Sequence, residues 1–119
     1  MTIQECYEKL GGNYDDVISR LRKEDFVKKF LKKFPDDPSF DELVTSMEAG
    51  DKDVAFRAAH TLKGVCQNLG LERLFVPSNE ATEALRAGDI DKAQTFMPQI
   101  KEIYGDTLDI INEFTDYEE

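Results

Sequence analysis

Apolar residues recur three and four positions apart along almost the whole chain, and no stretch keeps the strict alternation of a half-buried strand. That pattern predicts an all-α protein. Short helices are expected over residues 3–9 and 14–22, separated by Gly11 and Gly12, with Asn13 as the N-cap of the second. A helix over about 24–33 ends at "FPDDPS", where two prolines cannot continue it. Its apolar face reads as Phe26, Val27, Phe30, Leu31 and Phe34, which leaves Lys28, Lys29, Lys32 and Lys33 as a solvated face. We attach no function to that Lys28–Lys33 cluster. Ser39 and Glu42 then have the spacing of a capping box and open a helix that runs to Ala49.

Gly50-Asp51 and Gly88-Asp89 read as tight helix-to-helix turns, glycine taking a left-handed conformation and aspartate capping the next helix. Between them lies a hairpin: a helix over about 52–69, a turn near Gly70, and a helix over about 72–87. Pro77 either kinks that second helix or marks its proper start. The stripe from Ala93 through Phe96, Ile100, Tyr104 and Ile111 to Phe114, interrupted by Pro98 and Gly105, predicts one long bent helix or two in line. Short connections imply antiparallel neighbours. The expected architecture is an up-down-up-down antiparallel four-helix bundle over 39–117, with residues 1–35 adding short N-terminal helices, in one domain spanning 1–119.

Projecting residues 52–69 at about 100° per residue puts Leu62 and Leu69 in a core stripe flanked by Ala55, Ala58, Val65 and Cys66. His60, the only histidine, falls on the opposite face beside Arg57, Lys63, Gly64 and Gln67. It should be partly exposed. Phe56 falls on the same face, where it either belongs to a docking surface with Arg57 or tucks sideways against another helix.

The chain's 119 residues suit one core, and 40% hydrophobic content excludes a disordered composition. No run reaches the roughly 18 apolar residues of a membrane span, and the N-terminus lacks the regions of a signal peptide. A soluble, cytoplasmic monomer is expected. The formal charge of −10 disfavours nucleic acid and anionic lipid as partners. Cys6 and Cys66 match neither a redox pair nor a zinc spacing and read as reduced, packed thiols.

A lone histidine lacks the further inward-facing ligands of a bundle metal site, so no metal is expected. Cys66 projects away from His60, which weakens nucleophilic hydrolase chemistry. A phosphoryl-carrying imidazole fits the neighbours better. Lys63, one turn along, can neutralise phosphoryl charge, and Gly64 leaves room beside the ring where any side chain would crowd it. A mid-helix glycine costs about 1 kcal/mol relative to alanine, so its position calls for a reason.

"AHTLKGVCQNLG" resembles the phosphorylation motif of histidine-containing phosphotransfer (HPt) domains, H-x-L-K-G followed after five residues by glycine: His60, Leu62, Lys63, Gly64 and Gly70. The resemblance covers 59–70 in motif and 39–117 in architecture. It implies that His60 accepts a phosphoryl group from the aspartate of a response-regulator receiver, or from a hybrid kinase, and passes it to another receiver aspartate. Lys63 would then steady the phosphoryl charge and Gly64 provide clearance. Family members often orient the imidazole with a glutamine on the following helix. Thr82 occupies that place here, and Gln67 is a second candidate.

The implied partners are receiver domains and a sensor or hybrid histidine kinase. The protein itself would need no cofactor, with Mg²⁺ belonging to the receiver. No Gly-rich nucleotide loop suggests an ATP site, so a phosphoryl carrier is expected rather than an enzyme. The alternative is a phosphotransfer-silent helical module that binds a receiver or kinase as a regulator. A chemotaxis-type kinase phosphoacceptor module would require further domains.

Overall fold

In the computed structural model, which describes residues 1–118, the described chain is helical throughout, without strands. The helices are α1 (Ile3–Leu10), α2 (Tyr14–Leu21), α3 (Glu24–Lys33), α4 (Ser39–Ala49), α5 (Lys52–Asn68), α6 (Glu72–Arg86), α7 (Ile90–Gln94) and α8 (Met97–Glu118). A 3-10 turn, Phe34–Asp36, joins α3 to α4. Buried side chains from every helix meet in one core that runs from Ile3 to Phe114.

Side-chain oxygens start the helices where the sequence places them. Asn13, Asp51 and Asp89 accept from the backbone N–H groups of Asp16, Val54 and Lys92 at 3.0, 3.2 and 3.0 Å. Thr2 and Glu5 form a reciprocal capping box, both bonds 3.1 Å, that the periodicity alone did not single out. Ser39 departs from expectation. Asp37 accepts its N–H at 2.9 Å and its hydroxyl proton as well, so Ser39 is the first residue of α4 and forms no capping box with Glu42. A carboxylate two residues upstream is the better acceptor for that first free N–H.

The apolar face of α3 is narrower than the composition suggests. Val27, Leu31 and Phe34 are buried, whereas Phe26 and Phe30 are 44% and 41% exposed. Each of those two precedes a core residue by one position, about 100° around the helix, and so lies on the next ridge. Lysines cover both rings, Lys23 lying 5.7 Å from the Phe26 centroid and Lys29 5.9 Å from that of Phe30.

Gly50 and Gly88 take φ of +70° and +78°, closing the expected turns. α6 begins at Glu72 and continues through Pro77. The C-terminal segment is two helices, α7 and α8, and Gly105 does not interrupt the longer one. Across α5 and α6, Phe56 meets Arg86 while Lys63 meets Asn79. Rising numbers on one helix thus face falling numbers on the other, the antiparallel hairpin expected of them.

The N-terminal helices close the carboxyl end of α5. Helix ends leave carbonyls without intrahelical donors. Here the Tyr7 hydroxyl donates to the Leu69 carbonyl at 2.7 Å, Asn13 N–H donates to Gly70 at 2.8 Å, and the Arg20 guanidinium donates to the carbonyls of Gln67 and Asn68.

Candidate functional site

His60 sits in the middle of α5 and is exposed, while Ala55, Ala58, Ala59, Leu62 and Cys66 of the same helix are buried. Four of these inward residues are small or compact, so α5 packs closely on the core and turns its opposite face to solvent. Val65, expected in the core stripe, is only half-buried and lines an apolar cleft with Phe30 and Phe34.

The imidazole stacks on Phe56, one turn earlier, with ring centroids 5.9 Å apart and planes 26° from parallel. Phe56 is itself half-buried and packs against the core. It therefore tucks inward, one of the two expected placements, and touches His60 as it does so. The Arg86 guanidinium of α6 lies 5.0 Å from the Phe56 centroid, within cation–π range.

Lys63 lies one turn beyond His60. Its side chain is 19% exposed, so most of it is covered. The ammonium donates to Asn79 Oδ1 at 3.2 Å and lies 4.0 Å from Glu83 Oε1. The other Glu83 oxygen, Oε2, is 3.3 Å from Arg86 Nε. Asn79, Glu83 and Arg86 stand at i, i+4 and i+7 on α6 and form the second wall of the site. The wheel for α5 did not contain them. Their helical spacing was visible in the sequence, but which face of α6 meets α5 was not.

A Cβ built on Gly64 meets nothing within 4 Å. Close helix packing does not account for the glycine, and neither does crowding of the imidazole by a methyl group. The space beyond Gly64 is open to the outside.

The two residues expected to orient the ring are placed differently. Thr82 is fully buried and its hydroxyl donates to the Ser78 carbonyl at 2.7 Å, so its proton is committed within α6. Gln67 shares the His60 face but lies two turns on, roughly 10 Å along the axis, and is exposed. The ring contact that the geometry provides is Phe56.

Arg57 is exposed and lines a groove of about 570 Å³ together with Lys52, Asp53, Phe56 and Arg86. Lys52, Arg57 and Arg86, the last also paired with Glu83, line this groove with Asp53, and it adjoins the His60 site through Phe56.

Burial pushes the Cys66 thiol up to about 12 and the Cys6 thiol up to about 11. Both are buried, protonated thiols and poor nucleophiles. Among the described residues no three His, Cys, Asp or Glu side chains are grouped to hold a metal ion. No described helix is long and apolar enough to cross a membrane.

A family model described as the Hpt domain matches residues 25–109, which include both walls of the site. No curated protein and no solved structure matched the chain.

Proposed function

The chain belongs to the Hpt domain family, and from that premise we propose that it is a phosphorelay carrier whose phosphoacceptor is His60. Membership itself gives the coarse function, histidine phosphotransfer in two-component signalling, and the classes of protein engaged, receiver domains and histidine kinases. The observation that carries the finer reading is an exposed imidazole in mid-helix with the Lys63 ammonium held one turn away.

In this reading the unprotonated ring nitrogen of His60 attacks the phosphorus of a receiver's aspartyl phosphate in line. The N–P bond forms as the P–O bond to the aspartyl carboxyl breaks, and the electron pair leaves with the carboxylate. Transfer to a second receiver runs the same exchange in reverse. Phosphoryl transfer of this kind is governed by positioning and charge neutralisation. Phe56 holds the ring plane, Lys63 neutralises charge on the phosphoryl oxygens, and the opening at Gly64 admits the partner's backbone. Magnesium belongs to the receiver. Phe56 and Arg57 belong to the docking surface, and the protein acts as a cytoplasmic, monomeric carrier without an ATP site.

Incubation with a phosphorylated receiver tests the proposal. Acid-labile, base-stable label is expected on the wild type and absent from His60→Gln. Label that persists in His60→Gln overturns the site assignment. Receiver binding without any uptake of label gives instead the phosphotransfer-silent regulator.

A further inference from the structure

Glu83 stands between two cations that flank the His60 site, Lys63 of α5 and Arg86 of α6. One of its oxygens faces the Lys63 ammonium at 4.0 Å and the other faces Arg86 Nε at 3.3 Å. Lys63 is one turn from the imidazole, and Arg86 reaches it through the Phe56 ring, 5.0 Å from the guanidinium and 5.9 Å from the imidazole. The contacts form a chain from His60 through Phe56, Arg86 and Glu83 to Lys63, which Asn79 holds from α6 one helical turn from the imidazole. A phosphoryl group on His60 introduces an anion that calls on the same ammonium and guanidinium.

We propose that Glu83 is an internal competitor for these cations and thereby sets how far the phosphotransfer equilibrium of His60 lies toward phosphohistidine. The proposal rests on His60 being the phosphoacceptor. In the unphosphorylated protein the carboxylate engages both cations. In the phosphorylated protein the phosphoryl oxygens take them, and the Glu83 carboxylate is released to solvent. Exposure makes the exchange feasible. The side chains of Glu83 and Arg86 are 53% and 52% exposed, and exposed ion pairs are individually weak. A weak competitor can be displaced and still bias the equilibrium. Asn79 is neutral, so its bond to Lys63 does not oppose the phosphoryl group. It keeps the ammonium near α6 in both states.

Glu83 is thus a positioning residue, acting through Lys63 and Arg86. A carrier that must both accept and donate needs a phosphohistidine neither too stable nor too costly. A carboxylate that keeps the site partly neutralised before the phosphoryl arrives is a direct means to that end.

Potassium phosphoramidate provides a test that needs no cognate receiver. The imidazole N–P bond forms as the P–N bond of phosphoramidate breaks, and ammonia leaves with the electron pair. Added ammonium chloride drives the reverse reaction, so phosphorus NMR reads an equilibrium ratio of phosphohistidine to free protein. Glu83→Gln is expected to shift that ratio toward phosphohistidine roughly two- to fivefold at low ionic strength, the scale of one or two exposed ion pairs. The gain should shrink in high salt and vanish when Lys63→Gln and Arg86→Gln are also present. Glu80→Gln, which removes a carboxylate of α6 outside this chain of contacts, should leave the ratio at the wild-type value. An unshifted ratio for Glu83→Gln overturns the proposal, as does a gain that survives loss of both cations. When the wild type carries the phosphoryl on His60 and Glu83→Gln matches it, only this inference fails. When the wild type takes no phosphoryl at all, the carrier reading fails and this inference with it.

Discussion

A methyl group at position 64 would meet no atom of the chain, and its φ is not in the left-handed region. Alanine there removes the helix penalty of glycine, so Gly64→Ala is expected to raise stability by up to about 1 kcal/mol. The same methyl occupies the open space beside His60, so transfer from a phosphorylated receiver should slow. Thermal unfolding and transfer rate measured on one preparation check both directions. A variant that gains stability and keeps the wild-type rate removes clearance as the reason for the glycine. Lys63→Ala separates the two quantities differently. Its ammonium makes one neutral hydrogen bond and one long ion pair, which are modest contributions at a surface. Loss of a charged donor to the phosphoryl should slow transfer about ten- to hundredfold, with little change in the unfolding midpoint.

At the level of elements, α1 and α2 serve the site from its far end by satisfying the last carbonyls of α5. The crossing is tight: a Cβ on Gly12 would lie 2.7 Å from the Gly70 carbonyl oxygen, and a Cβ on Gly70 would lie 2.7 Å from that of Asn13. Gly70 also has φ of +66°. Gly70→Ala should therefore cost about 1–3 kcal/mol, read as a lower urea midpoint, and amide exchange should rise at the end of α5. The family match begins at residue 25, yet Tyr7, Asn13 and Arg20 hold this crossing. The limits of the first six helices were legible in the sequence to within a residue or two because Gly, Pro and capping Asn or Asp act locally. The α5 half of the site was legible for the same reason, since one wheel contains Phe56, His60, Lys63 and Gly64. Asn79, Glu83 and Arg86 were not, because their relation to His60 depends on the rotation of α6 against α5. Phe26 and Phe30 were misplaced on similar grounds: composition marks them as apolar, and only packing decides which ridge of α3 meets the core.

Over the whole molecule, charge is segregated. Arg20, Arg22, Lys23, Lys28, Lys29, Lys32 and Lys33 cluster in one short segment, while the full chain carries −10, so the remainder is more acidic than the total. Distributed like charge opposes the compact state, and deprotonating buried acids adds to that opposition at high pH. Burial raises the Cys6 thiol to about 11, the Cys66 thiol to about 12, and the Tyr7 phenol upward as well. In the unfolded chain a thiol titrates near 8.5 and a phenol near 10. Between those values and the raised folded ones, the native state holds protons that the unfolded state has released, so stability falls as pH rises. The contribution of these three groups is fully present below about pH 8.5. It is lost progressively as pH climbs through 11 and 12, the folded values of Cys6 and Cys66. Urea midpoints measured from neutral to strongly alkaline pH should therefore bend downward above about pH 9. Self-repulsion of an increasingly negative chain also lowers stability there. Cys66→Ala distinguishes the two causes: it keeps every lysine and removes one buried acid, so its decline should be shallower than that of the wild type. Parallel declines would assign the alkaline loss to net charge alone.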